Sequence, residues 1–209
     1  MPANTLRTFH YLALGDSYTI GEMVQTQDNF PNQVKKILAT ANRAIDTRII
    51  AKTGWTTDEL EGGIVHANNI SEIRPDYDFV SLLVGVNNQY RGRSLDNYRT
   101  EFEELLKKAI RFAGNSTERV VVLSIPDWGV TPFAEGQNRA QIAMEIDAYN
   151  NVNKDVALLY NIYYIDITPW TREAASDLSL IASDGLHPSA KEYQRWAVKI
   201  AGYFKTKIP

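Results

Sequence analysis

The chain contains no cysteine. Disulfides, thiolate metal sites and a cysteine nucleophile are therefore excluded, while the redox compartment stays open. It has no run of about 18 apolar residues, the length a membrane-spanning helix needs. Histidine is scarce, with 3 in 209 residues. The spacing of those histidines and of the carboxylates matches no metal site, so neither a metal nor another cofactor is expected. A net charge of −3 offers no positive field to nucleic acid or to an anionic membrane surface. A Gly-X-Gly-X-X-Gly or phosphate-loop pattern is missing, which argues against a flavodoxin-like nucleotide binder. The start, Met1-Pro2-Ala3-Asn4-Thr5-Leu6-Arg7, has no apolar signal core. Read as written, the chain is expected to be cytoplasmic; a chain whose signal had been removed would read the same.

What is present is an ordinary globular balance, 44% apolar and 22% charged. A length of 209 residues fits one domain with a sizeable core. Apolar strand-like runs alternate with amphipathic helical stretches, without repeats or linkers. Strands are expected over Phe9–Leu14, Thr47–Ala51, Phe79–Val84, Val120–Ser124 and Ile162–Ile167. Helices are expected over Pro31–Ala41, from the capping-box pattern Thr56-Thr57-Asp58-Glu59 to Asn68, and over Leu95–Phe112, Arg139–Tyr160 and Ser189–Lys205. Gly62-Gly63 weakens the second of these. Strands that are apolar throughout, separated by helices, argue for a parallel sheet covered on both faces, a three-layer α/β/α sandwich. Periodicity does not fix the strand order.

The first strand runs straight into Gly15-Asp16-Ser17, with Gly21 four residues after the serine. This puts a hydroxyl on a tight turn at the C-terminal edge of a buried strand, where open α/β sheets bind ligands. A serine there is a candidate nucleophile if a base and an oxyanion site accompany it. His10 starts the first strand, away from Ser17, and His66 lies within a helical pattern. His187 lies in a loop, three residues after Asp184. An acid and an imidazole on one short loop meet at little ordering cost, and the carboxylate would fix the tautomer. The plainer reading makes Asp184 a turn cap and His187 a surface residue before Pro188.

Oxyanion donors have candidates in Gly54, after the second strand, and in Asn87, in the Gly85-Val86-Asn87-Asn88 segment after the third. Taken singly, each of these residues is equally a turn former. The four segments occur in one order, Gly15-Asp16-Ser17, Gly54, Gly85-Val86-Asn87 and Asp184-Gly185-Leu186-His187, and span nearly the whole chain. In this the sequence resembles the GDSL esterase/lipase family, also called SGNH hydrolases.

That resemblance implies a flavodoxin-like sandwich of five parallel strands in a single catalytic domain covering residues 1–209. It implies Ser17 as nucleophile, His187 as general base and Asp184 as its orienting acid. The Ser17 and Gly54 backbone N–H groups and the Asn87 amide would form the oxyanion hole. The third block usually ends in Asp, whereas here Asn88 stands, which bears on the hydrogen bonding of that loop. Asp16 is expected to pin loop backbone rather than serve the triad.

Aromatic residues flank these blocks: Tyr18, Trp55, Tyr90, Trp128 and Phe133. Tyr18, Trp55, Tyr90 and Trp128 are taken as candidate substrate-binding residues, lining a small acyl pocket or stacking on a sugar; the plainer reading is local core. Met23 and Val24 would extend an apolar wall. Arg91 and Arg93 either meet a polar or anionic leaving group or, the plainer reading, stand in solvent. Asn115-Ser116-Thr117 matches a glycosylation pattern and reads as a turn. The expected activity is hydrolysis of small-molecule carboxylic esters, of short acyl chains, through an acyl-enzyme. A carbohydrate O-deacetylase and a catalytically silent binding domain on the same fold are the alternatives.

Overall fold

A computed structural model of the chain describes residues 6–208. Five strands, β1 (Arg7–Gly15), β2 (Arg43–Ala51), β3 (Phe79–Leu83), β4 (Val120–Leu123) and β5 (Tyr163–Ile165), form one parallel sheet in the order β2-β1-β3-β4-β5. β3 and β4 are buried along their whole length, as a sheet covered on both faces requires. On one face, Tyr11 and Phe79 pack against Phe204 of helix α8 (Ala190–Lys205), and α8 rests on α2 (Phe30–Leu38). The other face carries α3 (Thr57–Ile70), α5 (Leu95–Phe112) and α6 (Arg139–Leu159). Short helices α1 (Ser17–Ile20), α4 (Val86–Tyr90) and α7 (Thr168–Arg172) follow β1, β3 and β5. The architecture is the three-layer α/β/α sandwich that the alternation of elements predicts.

Local chemistry sets the element ends. Asn29 caps α2 by accepting from the Asn32 N–H at 2.9 Å, with Pro31 in the first turn. The Glu59 carboxylate reaches back to the Thr56 N–H at 2.9 Å and opens α3. Gly62 and Gly63 do not end that helix. The Trp55 indole lies where a Gly63 side chain would go, so the missing Cβ is what lets the ring pack there. The α5 face presents Tyr98, Phe102, Leu105, Leu106 and Ala109 to the core. Burying a side chain such as Phe102 contributes roughly 1.5–3 kcal/mol.

The strand order decides where ligands can bind. β1 continues to β2 on one side and neighbours β3 on the other, so the chain reverses direction between β1 and β3. The carboxyl ends of those two strands form the crevice of a doubly wound sheet. Ser17 follows β1 and Asn87 follows β3.

Candidate active site

Five strand ends supply the site. After β1, Asp16 accepts from the Tyr18 N–H at 3.0 Å and caps α1, and Ser17 is the first residue of that short helix. The segment between α7 and α8 is folded back on itself, with the Ala182 N–H donating to the His187 carbonyl at 2.7 Å. Within it, one Asp184 oxygen accepts from the backbone N–H groups of Leu186 and His187, both at 3.0 Å. This fixes the carboxylate and leaves its second oxygen 2.6 Å from His187 Nδ1. The other ring nitrogen, Nε2, lies 3.0 Å from Ser17 Oγ. Nδ1 therefore carries the proton and donates to Asp184, and Nε2 accepts from the serine hydroxyl.

The candidate oxyanion donors, Gly54 and Asn87, come from two turns. Gly54 has φ +83°, a left-handed conformation that L side chains rarely adopt. Its carbonyl accepts from Arg91 Nη2 at 2.7 Å, and Arg91 Nη1 reaches Glu59 at 3.1 Å. Arg91 thus clamps the glycine turn, and Arg93 pairs with Asp58 at 2.6 Å. Asn87 Nδ2 donates to the Trp55 carbonyl at 2.9 Å and lies 3.5 Å from an Asp16 carboxylate oxygen. Asn88 is buried, accepts from the Thr57 N–H at 3.1 Å and donates to the Thr57 hydroxyl at 2.7 Å. That hydroxyl in turn donates to Glu101. An amide is what this position requires, because a carboxylate could not donate to Thr57 while Glu101 takes the hydroxyl proton.

A cavity of about 170 Å³ opens over Ser17, Gly54, Asn87 and His187. Its apolar wall comprises Tyr18, Val86, Tyr90, Trp128, Phe133 and Leu186. Tyr18, Trp128 and Leu186 also line a separate void of about 10 Å³, room for about one water molecule. Tyr90 and Phe133 are 58% and 46% exposed, so they form the mouth, whereas Trp128 is buried. The Trp128 indole N–H donates to Gln89 at 2.7 Å. The Phe133 N–H donates to the Gly185 carbonyl at 2.9 Å and ties the aromatic loop to the histidine loop. Among the described residues, no group of three or more His, Asp and Glu side chains is placed to hold a metal ion.

Ser17, Gly54, Asn87, Asp184, His187, Tyr18, Tyr90 and Trp128 are thus brought to one edge, and all but Asp184 line the cavity directly. Trp55 is not among the lining residues: its ring packs over Gly63 of α3, and only its carbonyl serves the site, as Asn87's partner. Met23 and Val24 are likewise not in the lining. Thr53, Val86 and Leu186 line the cavity without having been expected to. Each adjoins an expected residue (Gly54, Asn87 and His187 respectively) on a turn that projects neighbouring side chains to the same edge.

Burial acts on the two aspartates in different ways. Burial pushes the Asp16 carboxyl up to about 7, only partly offset by the Tyr18 N–H. Burial also raises Asp184, but the His187 ring and two backbone N–H groups outweigh it and hold that carboxyl below the usual range. Asp184 therefore stays ionised beside the ring.

The GDSL-like Lipase/Acylhydrolase family matches residues 13–195. The chain belongs to that family. This GDSL hydrolase shares its fold with solved structures of low sequence identity. TesA superposes with a TM-score of 0.71 at 16% identity, covering 95% of this chain and 99% of that one. The psychrotrophic esterase EstA from Pseudoalteromonas sp., inhibited by monoethylphosphonate, gives 0.69 at 15% identity, over 94% and 97%. Axe2, an acetylxylan esterase from Geobacillus stearothermophilus, gives 0.68 at 18% identity, over 94% of each chain. No curated protein matches the chain. Membership makes the GDSL protein an ester hydrolase, on an α/β/α sandwich with no described helix long and apolar enough to cross a membrane.

Proposed function

We propose that the chain is a single-domain serine esterase that cleaves small carboxylic esters of short acyl chains through an acyl-enzyme. The observation that carries this reading is the hydrogen-bonded chain Asp184–His187–Ser17, at 2.6 and 3.0 Å, opening into an apolar cavity of about 170 Å³. Ser17 Oγ attacks the ester carbonyl while His187 Nε2 takes its proton. Asp184 keeps Nδ1 protonated and stabilises the imidazolium that forms. Negative charge on the carbonyl oxygen falls to the Ser17 and Gly54 N–H groups and the Asn87 amide. Each such donor is worth roughly 3–4 kcal/mol in the transition state. His187 then returns the proton to the leaving alkoxide, and the same nitrogen activates the water that releases the acid.

The small volume of the cavity supports a preference for short acyl chains. The space over Ser17 is only about 170 Å³, and the void beyond Tyr18, Trp128 and Leu186, which line both, is about 10 Å³, too small to take further acyl carbons. The test is hydrolysis of p-nitrophenyl acetate, butyrate, octanoate and laurate by wild type and Ser17→Ala. The expected result is turnover that declines with chain length and vanishes in Ser17→Ala. Faster cleavage of laurate than of acetate would refute the chain-length reading, and unchanged turnover in Ser17→Ala would refute the nucleophile.

A further inference from the structure

Beyond the catalytic cavity, Tyr90 and Trp128 also line a second depression of about 400 Å³ along α4 and the start of α6. Its other walls differ in kind from the apolar cavity: Gln89, Gln137, Asn138, Gln141 and Glu145 supply amides and one carboxylate. Gln89, Gly92 and Glu145 in turn line a third depression of about 300 Å³ that continues the trough. Each lies within or near the roughly 300–1,000 Å³ typical of small-ligand sites.

The side chains of this trough are held by one another. The Trp128 indole donates to Gln89, Gln89 donates to one Glu145 oxygen at 2.7 Å, and Gln141 donates to the other at 2.8 Å. Each Glu145 oxygen keeps a lone pair to spare, and the Gln141 carbonyl remains an acceptor. Gln137 and Gln141 are exposed at the rim. Only Arg93 brings a positive charge, in the third depression, and it is committed to both oxygens of Asp58 at 2.6 and 3.3 Å. The Tyr90 ring stands at the junction, 58% exposed and edge-on to Trp128 at 5.3 Å.

Amides and one carboxylate beside an exposed aromatic ring suit a ligand with many hydroxyl groups, which both donate and accept. A phosphorylated or sulfated alcohol would need an uncommitted cation, and an aliphatic alcohol would leave the amides without a use. The geometry points to this trough as the leaving-alcohol site, accepting an acylated neutral carbohydrate, with the sugar next to the ester stacked on Tyr90 and the following one beside Gln141 and Glu145. This rests on the serine-esterase reading and adds to it the class of alcohol.

The test compares singly acetylated xylobiose with butyl acetate on wild type, Ser17→Ala and the double variant Gln137→Ala/Gln141→Ala. Met144→Ala, an exposed position on the same helix outside the trough, serves as control. Wild type is expected to prefer the sugar ester at least tenfold in kcat/KM. The double variant is expected to lose about tenfold of that preference through KM, and Met144→Ala to keep it. Equal kcat/KM on the two esters, or a preference that survives the double variant, overturns the proposal while leaving the esterase reading standing. Ser17-independent turnover would overturn both.

Discussion

Replacing Asp184 with Asn probes the proposed triad without changing its shape. One Asp184 oxygen takes two backbone N–H groups at 3.0 Å, and the other takes His187 Nδ1 at 2.6 Å. An amide has only one oxygen. Turning it to the backbone keeps two hydrogen bonds, and turning it to the ring keeps one. At roughly 1 kcal/mol per bond the first orientation wins. The amide NH₂ then faces Nδ1 and forces the proton onto Nε2, which can no longer accept from Ser17. The imidazolium also loses its counter-charge, worth about 4 kcal/mol for charges roughly 4 Å apart at an effective dielectric near 20. That alone is nearly a thousandfold in rate, and the wrong tautomer brings the loss to about 10⁴. The assay is kcat on p-nitrophenyl acetate, with the melting temperature checked in parallel. A folded variant with kcat within about tenfold of wild type would refute the assigned role of Asp184.

Two further perturbations test other parts of the site. Arg91→Ala removes the clamp on the Gly54 carbonyl and should lower kcat roughly fivefold, about 1 kcal/mol, with KM for a neutral ester unchanged. Added guanidinium ion should restore part of the rate, and an undiminished kcat would dismiss the clamp. Asp16 holds its proton up to about 7 in the folded state and releases it nearer 4 when unfolded. Between those values the folded state binds more protons, so its stability falls as pH rises through that window. Thermal melts from about pH 5 to about pH 8 should show this decline in wild type and a flatter profile in Asp16→Asn. Parallel profiles would show that Asp16 does not titrate there. Asp184, shifted the opposite way, loses its contribution only as pH falls below the usual carboxylate range and so does not disturb the measurement.

The central strands were legible because continuous apolar runs leave few alternatives. Phe79–Leu83 and Val120–Leu123 form where those runs lie. β2 was only half legible: it is an edge strand, polar at many positions, and its start at Arg43 is set by pairing with Arg7 rather than by hydrophobicity. α2 ends at Leu38, short of the expected Ala41, because Ala39 turns to extended backbone before β2 begins. The brief helices α1, α4 and α7 carry too few residues for a period to register. At the site, turn chemistry alone did not single out the motif residues; the order of the four blocks and the family resemblance it carries did, and the structure brings those residues to one edge. The roles of Trp55 and Arg91 were not legible, because each depends on a distant partner. Trp55 fills the space above Gly63, and Arg91 reaches a carbonyl 37 residues away in sequence. The Asn88–Thr57–Glu101 chain likewise joins three separate elements.

The most direct measurement is covalent trapping of the nucleophile. The protein would be treated with a fluorophosphonate, digested and mapped by mass spectrometry while residual esterase activity is followed. The account requires one adduct, on the peptide bearing Ser17, forming in step with loss of activity and absent from His187→Ala. An inactivated protein labelled at a different residue, or full labelling of Ser17 with activity intact, would contradict it.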